Sequence, residues 1–103
     1  MLKKEILADK KTCKVTFTID HGPVSGAKVV SLVGEFNGWD PTADRMKRNK
    51  GGSFSKTVKL DCGDRYEFRY VIDDTIWEND AEADDYVPTP FGCDNSVVDL
   101  PRK

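Results

Sequence analysis

The sequence predicts an all-β fold, an antiparallel β-sandwich, on three observations. Apolar residues alternate with polar ones over several short runs, turn residues separate the runs, and no segment sustains a helical period. Short strands joined by frequent turns bury their apolar faces best as two facing sheets. In the first run Cys13, Val15, Phe17 and Ile19 alternate with Lys14, Thr16, Thr18 and Asp20. His21-Gly22-Pro23 ends it, because proline removes a backbone donor and glycine permits a turn. The second run, 27–35, is rich in valine. In the third, Phe54, Val58 and Leu60 share one parity, with Lys56 as the exception. The clearest alternation is 65–73, where Tyr66, Phe68, Tyr70 and Ile72 take one face and Arg65, Glu67, Arg69 and Asp73 the other. A last short strand is expected over 95–100. Gly51-Gly52 and Asp61-Cys62-Gly63-Asp64 are turn chemistry, and Ala81-Glu82-Ala83-Asp84 could give at most one helical turn. Residues 1–11 are expected to be loosely ordered, with the first strand starting near Thr12.

A chain of 103 residues has the size of one domain, so a single module over 1–103 is expected. Lys and Arg number 16 against 18 Asp and Glu, a net charge of -2 that argues against nucleic-acid binding. No apolar run is long enough for a bilayer span, and the first residues lack the apolar stretch of a secretory signal. Cys13, Cys62 and Cys93 are odd in number and far apart, which suits neither a disulfide framework nor a zinc site. A soluble cytoplasmic protein is the expectation.

Two tryptophans stand in polar, turn-like settings: Trp39 in Phe36-Asn37-Gly38-Trp39-Asp40-Pro41, and Trp77 between Asp73-Asp74-Thr75-Ile76 and Glu78-Asn79-Asp80. Each could simply pack at the sandwich edge. The alternative is a flat aromatic platform for a ligand with an apolar face and a polar rim, as a sugar ring has. Arg69 should project outward, either as a rim donor or as a solvated cation paired with Glu67 or another acid. The acids at Asp73, Asp74, Glu78, Asp80, Glu82, Asp84 and Asp85 do not follow calcium-loop spacing and suit a solvated loop. Paired-carboxylate catalysis would need a desolvated cleft that this stretch does not suggest. His21 is the one histidine, so no histidine pair can form within the chain. Arg45, Lys47, Arg48 and Lys50 lack interleaved aromatics and suit a solvated loop. No catalytic residue, metal ligand or cofactor site is expected.

The segment Val33-Gly34-Glu35-Phe36-Asn37-Gly38-Trp39 resembles the Gly-x-Phe-Asn-x-Trp signature of carbohydrate-binding module family 48. That family includes the early-set domain of isoamylases and branching enzymes and the glycogen-binding module of the AMP-activated kinase β subunit. Tyr66-Glu67-Phe68-Arg69-Tyr70-Val71-Ile72-Asp73, Trp77-Glu78-Asn79-Asp80 and Tyr86-Val87-Pro88-Thr89-Pro90-Phe91-Gly92-Cys93-Asp94-Asn95-Ser96-Val97-Val98 follow the family in order and spacing. The resemblance covers about 27–100. It implies an immunoglobulin-like, early-set β-sandwich that binds α-1,4-linked glucans such as glycogen, starch or maltodextrin. By the resemblance, Trp39 and Trp77 are the stacking tryptophans, Arg69 takes the place of a hydroxyl-bonding lysine, Phe91 that of a packing leucine, and Asn95 that of a sugar-bonding asparagine. Cys93 stands where kinase-type modules carry a threonine. Asp74 replaces a glycine, and the loop before Trp77 is one residue longer than in those modules.

The expected function is therefore non-catalytic binding of α-glucan by a tryptophan platform with polar rim residues. The alternative from another class is a stand-alone early-set interaction module, docking on a glucan-metabolising enzyme or a kinase partner without binding sugar itself. Tryptophan and arginine are typical interface anchors, so residue type alone does not separate the two.

Overall fold

Nine strands carry the alternation into two antiparallel sheets in the computed structural model, which describes residues 2–20, 24, 26–90 and 92–100. They are β1 (Leu2–Ile6), β2 (Thr12–Ile19), β3 (Val30–Gly34), β4 (Lys47–Arg48), β5 (Phe54–Asp61), β6 (Arg65–Ile72), β7 (Ile76–Glu78), β8 (Asp85–Pro88) and β9 (Asp94–Asp99). The first sheet has the order β1-β2-β5-β4 and the second β3-β6-β9-β8, with β7 also paired to β6. The expected β-sandwich is the fold observed.

Register fixes which side chains meet. Cys13, Val15, Phe17 and Ile19 of β2 lie opposite Leu60, Val58, Lys56 and Phe54 of β5, so the inward row crosses both strands. On the second sheet Tyr70 and Ile72 face Leu32 and Val30, while Phe68 and Tyr66 face Ser96 and Val98. The two rows meet in one core, in which Phe17 packs edge-on against Phe68 with ring centroids 4.9 Å apart. Lys56, the exception in its row, is half-buried and reaches Asp44 at 3.9 Å.

Three segments differ from the sequence expectation. Residues 2–6 form a strand rather than a loose lead-in. Leu2 and Ile6 pack on the core, and the Lys4 ammonium donates to the Asp99 carbonyl at 2.8 Å and pairs with Asp84 at 2.6 Å. The basic stretch is not wholly a loop: Lys47 and Arg48 add a short edge strand, and Arg48 lies over the Phe54 ring and donates to the Ala27 carbonyl. Among the acids, Asp80 is buried rather than solvated, at 1% exposure. Its carboxylate accepts from the Tyr70 hydroxyl at 2.6 Å. Among the described residues no helix is long and apolar enough to cross a membrane.

Candidate functional site

The signature segment is a folding device before it is anything else. β3 and β6 pair as far as Gly34 and Phe68, after which the chain leaves the sheet in a short 3-10 turn over Glu35–Asn37. Gly34 is extended, and its requirement is space: a Cβ there would stand 2.7 Å from the Glu67 carbonyl oxygen and 2.8 Å from the Phe36 ring. Phe36 turns inward against Phe17 and Tyr66. Asn37 closes the turn, its Oδ1 accepting from Gly34 N–H at 3.0 Å and its amide donating to the Leu32 carbonyl at 2.9 Å and to Asp44 at 2.8 Å. Glu35 replaces the next rung of the ladder, accepting from Glu67 N–H at 2.7 Å. Gly38 and Trp39 both have positive φ, 66° and 61°, and Trp39 N–H returns to the Gly34 carbonyl. Phe36 thus goes to the core while Trp39 is left half-buried beside the outer face of the second sheet.

Trp77 arrives by a second turn. Asp73 and Asp74 have φ of 52° and 61°, the φ signature of a type I′ hairpin turn, which acidic side chains tolerate better than most. Asp73 Oδ1 accepts from the backbone N–H groups of Lys28 and Val29, which hold its carboxyl below the usual carboxylate range, the Val29 bond most. Arg45 pairs with Asp74 at 2.9 Å. β7 then lies along β6 with Trp77 opposite Val71, so the tryptophan belongs to a strand rather than to the loop that its neighbours suggested. It is 47% exposed.

Strand parity puts Glu67, Arg69, Val71, Trp77, Asn95 and Val97 on one face, turned away from the core. Arg69 is at its centre. Its guanidinium lies 6.0 Å from the centre of the Trp77 ring. Its Nε–H donates to Asn95 Oδ1 at 2.7 Å, and the Asn95 amide donates onward to Glu67 Oε1 at 2.9 Å. A second Arg69 nitrogen donates to Cys93 Sγ at 2.8 Å. Hydrogen bonds from Thr89 and then Arg69 hold the Cys93 thiol below its ordinary value. Val33, Val71 and Val97 share this outward parity, yet they are at most 2% exposed.

The result is a groove of about 660 Å³, lined by Trp39, Trp77, Arg69, Asn95, Glu67 and Cys93 together with Glu35 and 87–90. Of the residues expected at a site, Trp39, Arg69, Trp77 and Asn95 come together there, and Phe91 lies outside the described residues. Glu35, Thr89 and the three valines are not among the site residues that the sequence predicts. Glu67 and Val71 share the parity of Arg69, a signal that was available for them. Val33 and Val97 needed the register across strands.

Behind the groove, β7 and the chain after it are tied to the core through buried polar groups. Burial, and then the Asp80 carboxylate beside it, push the Tyr70 hydroxyl far up, so it remains a donor to Asp80. Asp80 N–H donates to Ser96 Oγ, which donates to Asn79 Oδ1. Among the described residues no group of three or more His, Cys, Asp or Glu side chains could hold a metal ion.

The sequence profile described as carbohydrate-binding module 48 (isoamylase N-terminal domain) matches residues 24–87, more than half of the chain. The matched span includes Trp39, Arg69 and Trp77 and stops before Asn95. No match was found among curated proteins.

Proposed function

The chain belongs to the carbohydrate-binding module 48 (isoamylase N-terminal domain) family, and from that premise we propose that the groove on its second sheet binds α-1,4-linked glucan without catalysis. Glycogen, starch and maltodextrins are the substrate class, and α-glucan is the partner. The observation that carries the proposal is the lining of the groove: two tryptophans together with the chain Arg69–Asn95–Glu67.

Each part answers to the chemistry of a glucose ring. The axial C–H face is apolar and stacks on indole, so Trp39 and Trp77 would each take a sugar face. The ring's edge carries hydroxyls, which need both donors and acceptors. Arg69 carries five N–H donors, more than its contacts with Asn95 and Cys93 use, while Glu67 is an acceptor only. Because Arg69 is already held by Asn95 and backed by the Trp77 ring, little side-chain freedom is lost when sugar arrives. Phe91 would extend the apolar side. An open groove of this kind suits weak binding, with Kd between about 10 μM and 1 mM, roughly −4 to −7 kcal/mol. Several modules engaging one branched polymer would raise the apparent affinity.

The test is native gel electrophoresis with and without glycogen in the gel, comparing the parent with Trp39→Ala and Trp77→Ala. Retardation of the parent that is lost in both variants, while their thermal midpoints stay near that of the parent, is the expected result. A parent that migrates equally in both gels and gives no tryptophan-fluorescence change with maltoheptaose overturns the proposal.

A further inference from the structure

Cys13 and Cys62 are distant in the chain and adjacent in space. Cys13 opens the buried row of β2, and Cys62 is the first residue past β5, the strand that pairs with it. The ladder runs to Thr12 opposite Asp61, and the Cys62 N–H continues it by donating to the Lys11 carbonyl at 2.9 Å. Backbone pairing on both sides of the two residues therefore fixes their approach. Their sulfurs are 2.7 Å apart, and both are free thiols. Bonding requires the sulfurs to close to about 2.0 Å, a smaller movement than a change of rotamer. Cys93, the third cysteine, is exposed in the groove of the other sheet.

We propose that Cys13 and Cys62 are a dithiol site that takes a small-molecule disulfide, such as oxidised glutathione, as oxidant and becomes a reversible staple across β2 and β5. The half-buried Cys62 is the point of entry. Its thiolate attacks one sulfur of the oxidant, a mixed disulfide forms at Cys62, and one small thiol leaves. Cys13 then attacks the Cys62 sulfur and the second small thiol leaves. Two protein thiols are oxidised, one disulfide is reduced to two thiols, and the two protein protons end on those thiols. Burial, and then the contact with Cys62, push the Cys13 thiol up to about 11, so Cys13 completes the exchange rather than starting it.

The staple would close a loop that contains β3, the Gly34–Trp39 turn and β4. Cross-linking a loop of this length restricts the unfolded chain more than the folded one, so oxidation should raise the thermal midpoint by about 10 °C or more. The bond lies in the sheet that does not carry the groove, so the inference stands apart from the glucan proposal.

The experiment equilibrates the full chain in glutathione buffers from fully reduced to fully oxidised. Samples are quenched in acid and alkylated, then mapped by non-reducing peptide mass spectrometry. The expected result is the loss of two hydrogens with a peptide cross-linked from Cys13 to Cys62, a raised midpoint, and reversal of both by dithiothreitol. Cys93→Ser should give the same cross-link, and Cys62→Ala should give none. Glutathione adducts on Cys62 with no link to Cys13 in the most oxidising buffer would overturn the proposal. So would a cross-link that runs to Cys93 instead.

Discussion

The two outer faces of the sandwich obey the same alternation and end up with different characters. On the first sheet the outward row of β2 and β5 is Lys14, Thr16, Thr18, Ser55, Thr57 and Lys59, and none of these is buried. Thr16 and Thr57 share a hydrogen bond of 3.0 Å, and the row otherwise presents short polar groups and lysines to water. On the second sheet the outward row holds Ser31, Val33, Val71 and Val97, all buried, and Arg45 donates to the Ser31 hydroxyl at 3.2 Å. β-branched residues serve both faces, because that shape suits a pleated sheet. The difference is what lies above them. Threonine needs no cover, whereas valine turned away from the core is stabilised by long side chains laid over it.

The largest effect that would break this contrast is expected at Gly34. Gly34→Ala puts a methyl group against the Glu67 carbonyl at 2.7 Å, and the backbone must separate where the turn leaves the sheet. A loss of about 3 kcal/mol in urea unfolding is expected. An unchanged midpoint would mean that the close approach is not required. Tyr70→Phe comes next. It deprives the buried Asp80 carboxylate of a donor while preserving the ring, and should cost about 2 kcal/mol by the same measurement. Since the Asp80 connections also steady the chain that follows Trp77, a change in Trp77 fluorescence should accompany it.

Arg69→Ala removes the cation beside Trp77 and the donor to Asn95 together. Titration calorimetry with maltoheptaose should show affinity reduced at least about tenfold, or ~1.4 kcal/mol. Equal affinity would locate sugar binding elsewhere. Thr57→Val on the opposite face sharpens the comparison from the other side. It should alter stability by no more than about 0.5 kcal/mol and leave maltoheptaose affinity unchanged.

The smallest effect is in acid. Asp9, Asp40, Asp73 and Asp85 all have native pKa values below the ordinary 3.8, chiefly through hydrogen bonds: from backbone and then threonine donors at Asp9, from the Thr42 hydroxyl and then its backbone at Asp40, from backbone alone at Asp73, and from backbone and then Arg65 at Asp85. A carboxyl with a lowered native pKa stabilises the fold fully above its unfolded value, and that contribution is lost as pH falls through the native one. Thermal midpoints should therefore be level above about pH 5 and fall below about pH 4. In Asp73→Asn, which keeps an acceptor for Lys28 and Val29 but does not titrate, the fall should be shallower.

Legibility followed the range of the interaction. The rows Cys13–Ile19 and Tyr66–Ile72 were readable because alternation is local and each residue type declares its own preference for water or core. Trp39, Arg69, Trp77 and Asn95 were singled out through a resemblance to motifs, and the fold brings the four to one groove. β1 was missed because a five-residue strand with two lysines carries little signal of its own and is held by Lys4 reaching Asp84 and Asp99. Asp80 was one acid among seven, and nothing nearby in the chain marks it as Tyr70's partner.

By itself the sequence determined the class of fold, the inward rows and the turn chemistry, since these depend on side-chain type and on spacings of two to four residues. Tertiary structure alone decided that three valines turned from the core would be covered, that Glu67 would hold Asn95 and Asn95 hold Arg69, and that Cys13 would meet Cys62. Those contacts join residues from different strands. Strand register, which no local pattern specifies across sheets, sets which of them can touch.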